Sequence, residues 1–353
     1  MIIINARFLT QPITGVQRYA IELSKILKRK YSDKIKFVTH SGIIHKPLAE
    51  ELEVEIIGIN KSHLWEQVDL YLYLLQNGSP LLFSFGYTGP LWYKNQIVSI
   101  HDMAFKYYKS TFSKGFVIAY NFLVPRIAEK CIHVFTVSES SKKEICKELD
   151  LDDAKVSVIY NGLTDVFKQK NGKRVNLSNN KDRYILTVSS HHPRKNYKRL
   201  IEAFSEILDK SIKLYVIGNI IEHFSNNIDM KEVIKKGTVR FLTNISDEEL
   251  ASYYQNAELF VFPSLYEGFG IPVIEAMSAN LVCVLSDIPV FREIGDDSVI
   301  YVNPKDVNSI KDGISKGLKL ENKSIEYKKL KIFNWESSAD KIIEMLNKFS
   351  KIV

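Results

Sequence analysis

The sequence predicts an α/β protein of two doubly wound domains, each a parallel sheet covered by helices, and three observations predict it. A chain of 353 residues suits two domains of roughly 150 residues each. Short apolar, β-branched runs alternate with helical patterns along its whole length, as parallel strands buried on both faces require. One polar stretch, residues 168–182 (KQKNGKRVNLSNNKD), breaks that rhythm with almost nothing to bury, so it reads as a linker.

Before the linker, strands are expected at Ile2–Asn5, Lys36–Thr39, Val54–Ile57, Leu81–Phe85, Ile97–His101, Val134–Val137 and Val156–Ile159, with helices that include Val16–Lys30 and Ser138–Leu149. After it, strands are expected at Tyr184–Ser189, Leu214–Gly218, Val239–Leu242, Leu259–Phe262, Leu281–Leu285 and Val299–Val302. Ser246-Asp-Glu-Glu249 spells a capping box, in which side chains of the first and fourth residues satisfy each other's orphan amides. The last helix, around Trp335–Phe349, has no strand after it. The expected organisation is therefore a first Rossmann-like domain over 1–167, a linker over 168–182, a second over 183–334, and a C-terminal helix over 335–353 that packs back toward the first. Two such domains face each other across a cleft, and ligands bind in loops at the carboxyl ends of the strands.

Composition narrows the function classes. Hydrophobic residues make up 45% and charged residues 25%, an ordinary soluble balance. The longest nearly apolar stretch, Phe116–Pro125, is far short of the about 20 residues a membrane span needs. No basic segment precedes an apolar one at the start, so no signal peptide is expected. Three cysteines far apart, Cys131, Cys146 and Cys283, form neither a disulfide framework nor a zinc spacing and fit a reducing cytoplasm. The net charge of +7 is concentrated early: residues 1–50 hold nine basic and three acidic side chains, which suits an anionic partner or simply a lysine-rich surface. No Gly-x-Gly-x-x-Gly follows a strand and no phosphate-loop motif is present, which argues against dinucleotide redox chemistry and nucleoside triphosphate hydrolysis.

The chemistry concentrates in Pro263-Ser-Leu-Tyr-Glu267-Gly-Phe-Gly-Ile-Pro-Val-Ile-Glu275, a strand end, a glycine-bearing loop and a helix with Pro272 in its first turn, where proline is favourable. Gly268 and Gly270 permit close approach of the backbone and positive φ, and amides at a helix start suit a phosphate. Glu267 in the loop and Glu275 early in the helix are placed to face one ligand, and a carboxylate accepting two ribose hydroxyls is a natural role for one of them. A solvated loop glutamate and a dipole-favoured helix glutamate are the plainer alternative.

This segment resembles the donor-site motif of family 4 retaining glycosyltransferases with the GT-B fold. Five further segments resemble the same family in the same order: Gly15-Val-Gln-Arg18-Tyr19, Ile100-His-Asp-Met103, Val137-Ser-Glu-Ser-Ser-Lys-Lys-Glu144, Val158-Ile-Tyr-Asn-Gly162, and Ser189–Asn196 followed by Arg199-Leu-Ile-Glu-Ala-Phe204. The bacterial mannosyltransferase-like branch of surface polysaccharide synthesis is the nearest in character. The resemblance implies that the first domain serves the acceptor and the second the donor. It implies a donor site of Gly15, Arg18, Arg194, Lys195, Glu267, Gly268, Phe269, Gly270 and Glu275. In that site Lys195 and Arg194 stabilise the departing diphosphate, Glu275 holds the ribose, and Glu267 with His101 orients the sugar.

Two positions stay open in sequence. Arg18 reaches a phosphate or sits on a helix surface. His101 touches the reacting sugar or packs under a loop, with Asp102 fixing its tautomer or capping the next turn. The chain departs from the family at Ser189-Ser190, where many members carry Gly-Arg. Neither His191-His192 nor Asp150-Leu-Asp152 is taken as a metal site. Adjacent side chains diverge in the first and ordinary turn formers explain the second, so no metal and no cofactor is expected.

Residues 92–126 interleave Trp92, Tyr93, Phe105, Tyr107, Tyr108, Phe112, Phe116, Tyr120 and Phe122 with Lys94, Lys106, Lys109, Lys114 and Arg126. That texture suits a lipid-diphosphate acceptor at a membrane surface, stacking on single-stranded nucleic acid, or a core with surface lysines. The expected function is retaining hexose transfer from a nucleotide sugar, mannose from its guanosine diphosphate form foremost, to a lipid-linked or growing surface polysaccharide such as O-antigen, capsule or exopolysaccharide. The expected location is cytoplasmic with peripheral contact to the membrane's inner face, without a nucleic-acid partner. The alternatives are an epimerase or hydrolase of the same fold, which would need an extra base, and a basic nucleic-acid-binding protein.

Overall fold

A computed structural model describes residues 1–168, 182–190, 192–209, 211–218, 237–295, 297–320 and 327–350. The expected linker therefore lies almost wholly outside the described residues, as does His191. The chain divides into two compact units, Met1–Gly162 with Asn334–Val353, and Leu163–Phe333. The first crossing falls ahead of the expected linker because a short helix, Asp165–Lys168, belongs to the second unit. There Ser278 Oγ donates to the Phe167 carbonyl at 3.0 Å, and Phe167 packs edge-on to Tyr254.

Unit 1 holds a parallel sheet in the order β3-β2-β1-β4-β5-β6-β7, with β1 Ile2–Asn5, β2 Ile35–Thr39, β3 Glu55–Ile56, β4 Leu81–Ser84, β5 Gln96–Ser99, β6 His133–Thr136 and β7 Val156–Val158. Its longer helices are α1 (Gly15–Tyr31), α2 (Lys114–Lys130) and α3 (Glu139–Leu149). The strand order reverses between β1 and β4, so the crevice for a ligand opens at the carboxyl ends of those neighbours. Apolar strand residues are buried in two clusters, Ile3, Val38 and Leu82 with Trp65 in one and Val98 and Val134 with Val124 of α2 in the other.

Unit 2 repeats the plan in the order β10-β9-β8-β11-β12-β13, with β8 Arg183–Val188, β9 Ile212–Ile217, β10 Val239–Leu242, β11 Leu259–Phe262, β12 Cys283–Ser286 and β13 Ile300–Val302. Helices α4 (Tyr197–Ser205), α5 (Asp247–Asn256), α6 (Ile271–Ser278) and α7 (Val307–Gly317) accompany it. The Ser246 capping box at the start of α5 forms as expected. Here the switch point lies between β8 and β11, which pair in parallel through Ile185↔Leu259 and Leu186↔Phe260. The loops after these two strands are therefore side by side.

The final helix, α8 (Trp335–Ser350), returns to unit 1. It lies against α1 with ion pairs from Lys30 to Asp340 at 2.6 Å and from Arg29 to Glu336, and Ser338 Oγ donates to the Tyr160 carbonyl. Two helical elements go beyond the expected ones. The stretch 62–76 is helical, with a π turn over Glu66–Leu70 between α turns Ser62–Trp65 and Tyr71–Gln76. α2 runs unbroken past Pro125, a residue that ordinarily ends or kinks a helix.

Candidate active site

The loops after β8 and β11 are knitted into one body. Asn196, in the left-handed region at φ 63°, ends a 3-10 turn over Pro193–Lys195. Its amide donates to the carbonyls of Pro263 at 3.0 Å and Pro304 at 2.6 Å, and the Leu265 amide donates to the Arg194 carbonyl at 2.7 Å. Lys195 thus sits in a tight turn before α4 rather than on a helix. Just after β9, Gly218 is packed so closely against the end of β8 that a Cβ would lie 1.9 Å from the Ser189 carbonyl oxygen. Ser189 itself bonds to the Tyr197 hydroxyl.

Within that body two cations converge on one carboxylate. Lys195 pairs with Glu267 Oε1 and Arg194 Nη1 reaches Oε2 at 3.0 Å, with 9%, 19% and 8% of the three side chains exposed. Arg194 Nη1 also donates to the Tyr266 carbonyl. Burial would raise the Glu267 pKa, but the charges of Lys195 and Arg194, with the hydrogen bond from Lys195, hold it below the ordinary carboxylate value. Glu267 is therefore ionised, and the cluster carries a net positive charge in a largely desolvated position.

Gly270 has φ 122° and precedes α6, where a Cβ would press on Phe291 at 2.9 Å. The expectation of positive φ holds for Gly270 but not for Gly268, which is absent from the positive-φ glycines. Phe269 is buried and packs edge-on against Phe333 with ring centroids 5.4 Å apart. Glu275 lies in the second turn of α6, is 5% exposed, and accepts from the Tyr254 hydroxyl at 2.9 Å. The structure thus brings Arg194, Lys195 and Glu267 together and holds Glu275 on a separate partner.

The remaining expected residues belong to unit 1. Gly15 is the first residue of α1, behind the N-cap Thr14, whose capping box uses Gln17. Arg18 is half-buried on the first turn of α1. His101 lies beyond β5, which ends at Ser99 rather than at 101. It is 6% exposed, and its Nε2 donates to the Phe85 carbonyl at 2.9 Å. Its ring also meets Tyr19 edge-on. Burial holds its pKa below the ordinary imidazole value, so it is neutral with the proton on Nε2. Asp102 instead caps the next turn, accepting from the Ala104 amide at 2.9 Å and from the Tyr87 hydroxyl at 3.0 Å. Of its two expected roles the cap is the one observed; the Phe85 carbonyl sets the tautomer. Asp150 ends α3 in the left-handed region and Asp152 caps the following turn.

The sequence reading missed a buried polar network at the carboxyl ends of β1 and β4. Glu66, 1% exposed, accepts from Arg7 Nε at 2.9 Å, Asn5 Nδ2 at 2.9 Å and Thr88 Oγ1 at 2.8 Å, and pairs with His63 Nδ1 at 3.0 Å. Burial pushes the Glu66 carboxyl up, but the Arg7 charge and the His63 and Asn5 hydrogen bonds outweigh it and hold the pKa at about 2. A small cavity beside the network is lined by Asn5, Arg7, Gln11, Gln17, Phe85 and Gly86. One signal was present in sequence: an asparagine closing an otherwise apolar strand.

Two parallel-sheet units, with a cationic cluster at the switch point of the second, are the architecture of a GT-B glycosyltransferase. The chain belongs to glycosyltransferase family 4. Residues 61–165 match Glycosyltransferase Family 4 and residues 168–332 match Glycosyl transferases group 1. The O-antigen chain mannosyltransferase RfbU of Salmonella typhimurium is 30% identical over 330 residues, 88% of this chain and 89% of that one. The serotype-specific mannosyltransferase WbdA of Escherichia coli is 28% identical over 237 residues, 61% of this chain and 29% of that one. The crystal structure of HepE from Anabaena in complex with UDP and glucose shares the fold at TM-score 0.74 and 16% identity, covering 98% of this chain and 99% of that one.

Proposed function

We propose that this glycosyltransferase moves mannose from GDP-mannose, with retention of configuration, to a lipid-linked or growing bacterial surface polysaccharide. The observation that carries the reading is the convergence of Arg194 and Lys195 on Glu267 at the β8/β11 switch point. A nucleoside diphosphate gains charge as its sugar departs, and preorganised cations in a desolvated site stabilise that charge. Lys195 and Arg194 meet the diphosphate, Glu275 the ribose, Glu267 the hexose, and His101 serves the reacting sugar as a neutral hydrogen-bonding group. The amides that open α6 behind Gly270 add donors for a phosphate. With two cations supplied by the chain, neutralisation requires no divalent ion. The choice of mannose and of an O-antigen-type acceptor is supported by the mannosyltransferase relatives RfbU and WbdA. A lipid-linked acceptor places the enzyme at the inner face of the cytoplasmic membrane as a peripheral protein.

The test is release of nucleoside diphosphate from a panel of nucleotide sugars, with and without a chelator. GDP-mannose is expected to be consumed, at the same rate with chelator present. Preference for UDP-glucose would overturn the donor assignment, and loss of turnover restored by added divalent ion would overturn the metal-free reading.

A further inference from the structure

We propose that α2 and the neighbouring Trp92 form the surface by which the protein docks on an anionic phospholipid membrane; the proposal rests on the lipid-linked acceptor reading above. Lys114, Ile118, Phe122, Arg126 and Lys130 recur every four residues along α2, so they follow one ridge of the helix. Its apolar members are turned to solvent, with Ile118 71% and Phe122 49% exposed, and Trp92 beside the ridge is 69% exposed. Each exposed ring carries a cation. The Arg126 guanidinium lies 3.9 Å from the Phe122 centroid and the Lys130 ammonium 4.1 Å from that of Trp92.

The charge around the ridge is predominantly basic, with the exposed Glu129 beside Lys130 as the one acid of α2. No Asp or Glu occurs from Met103 to Ala128, and among the described residues Lys94, Lys114, Arg126 and Lys130 make no ion pair. A second apolar stripe adjoins. Leu64, Val68, Leu72 and Leu75 are exposed on the stretch 62–76, whose two acids turn inward, Glu66 to Arg7 and Asp69 to the Asn60 amide. This stretch is tied to the α2 side of the unit. The His63 and Tyr120 rings meet at 5.7 Å, and Gln67 bonds to the Gly89 carbonyl and the Leu91 amide, next to Trp92.

Large apolar side chains grouped on a surface mark an interaction site, and aromatic rings flanked by lysine and arginine suit the headgroup boundary, where the rings enter and the cations meet lipid phosphate. A second copy of the chain seated on the same patch would set like charges against each other. An anionic bilayer complements both the charge and the apolar residues.

The experiment is co-sedimentation of the full chain with phosphatidylcholine vesicles, with and without phosphatidylglycerol, at low and high salt. Two double variants, Trp92→Ser with Phe122→Ser and Arg126→Glu with Lys130→Glu, are compared with the wild type. The wild type is expected to bind the phosphatidylglycerol vesicles and to release them as salt rises. Each double variant should partition at least about tenfold more weakly while keeping the thermal melt and the turnover of free donor. Wild-type failure to bind those vesicles, variants that partition like the wild type, or self-association of the wild type abolished in the Trp92/Phe122 variant would each overturn the proposal. Vesicle binding with no donor turnover would instead overturn the proposed function and leave the surface standing.

Discussion

Lys195→Ala is expected to lower the rate of sugar transfer by about 10²–10³-fold, the usual loss when one preorganised donor to developing charge is removed. The lysine is largely desolvated, pairs with Glu267 and lies 5.1 Å from the Phe262 ring. Its ammonium is therefore held in place before any ligand arrives. Removing it leaves the Glu267 carboxylate with Arg194, so the buried charge keeps one partner and the fold should survive. The measurement is saturating-donor turnover beside the thermal melt. A melt near the wild type with turnover within about threefold of it would remove Lys195 from the leaving-group role. Lys195→Arg should recover only part of the rate, because a planar fork does not occupy the position of a compact ammonium.

Glu66→Ala is expected to have the largest effect on stability. Removing one partner of a buried pair typically costs about 3–5 kcal/mol, since the other charge stays buried without compensation. Here the Arg7 guanidinium would lose its carboxylate and keep the 3.3 Å bond from Nη2 to Thr88 Oγ1. Trp65, Trp92 and Trp335 all belong to unit 1, so tryptophan fluorescence during urea unfolding reports this unit directly. An unchanged midpoint would show that the network is held by other contacts. The pH dependence has a definite sign. The folded pKa of about 2 lies below the ordinary glutamate value of 4.5, so the contribution is fully present above the unfolded pKa and is lost as pH falls from about 4.5 to about 2. In Glu66→Ala that acid-sensitive share of the unfolding free energy should vanish.

The alternation of strands and helices was legible because burial on both faces of a parallel sheet demands runs such as Ile2–Asn5 and Leu259–Phe262, whose bounds match the observed strands. The helices at 62–76 and over α2 were not. Their exposed leucines, isoleucine and phenylalanine disturb the apolar stripe by which an amphipathic helix is recognised, and Pro125 argues for a break. The loops after β8 and β11 were legible through local motifs, since Lys195 and Glu267 each sit in a recognisable segment. Their convergence depends on β8 and β11 being neighbours, which a strand list does not reveal. The Arg7–Glu66 pair was illegible for the same reason: its members are 59 residues apart and meet only when β1 and β4 pair.

The return of α8 to the first unit has a topological consequence. Unit 2 is an insertion: the chain enters it once and leaves it once, and both outer segments end in the same body. A single break at the crossing after Gly162 would leave a fragment that still carries α8, clasped to α1 by Lys30 and Arg29. Two breaks are needed to separate the halves, so a nicked enzyme should migrate as one particle until it is denatured. Expressed alone, the second unit would be one uninterrupted piece of chain, whereas the first would have to be reassembled from two.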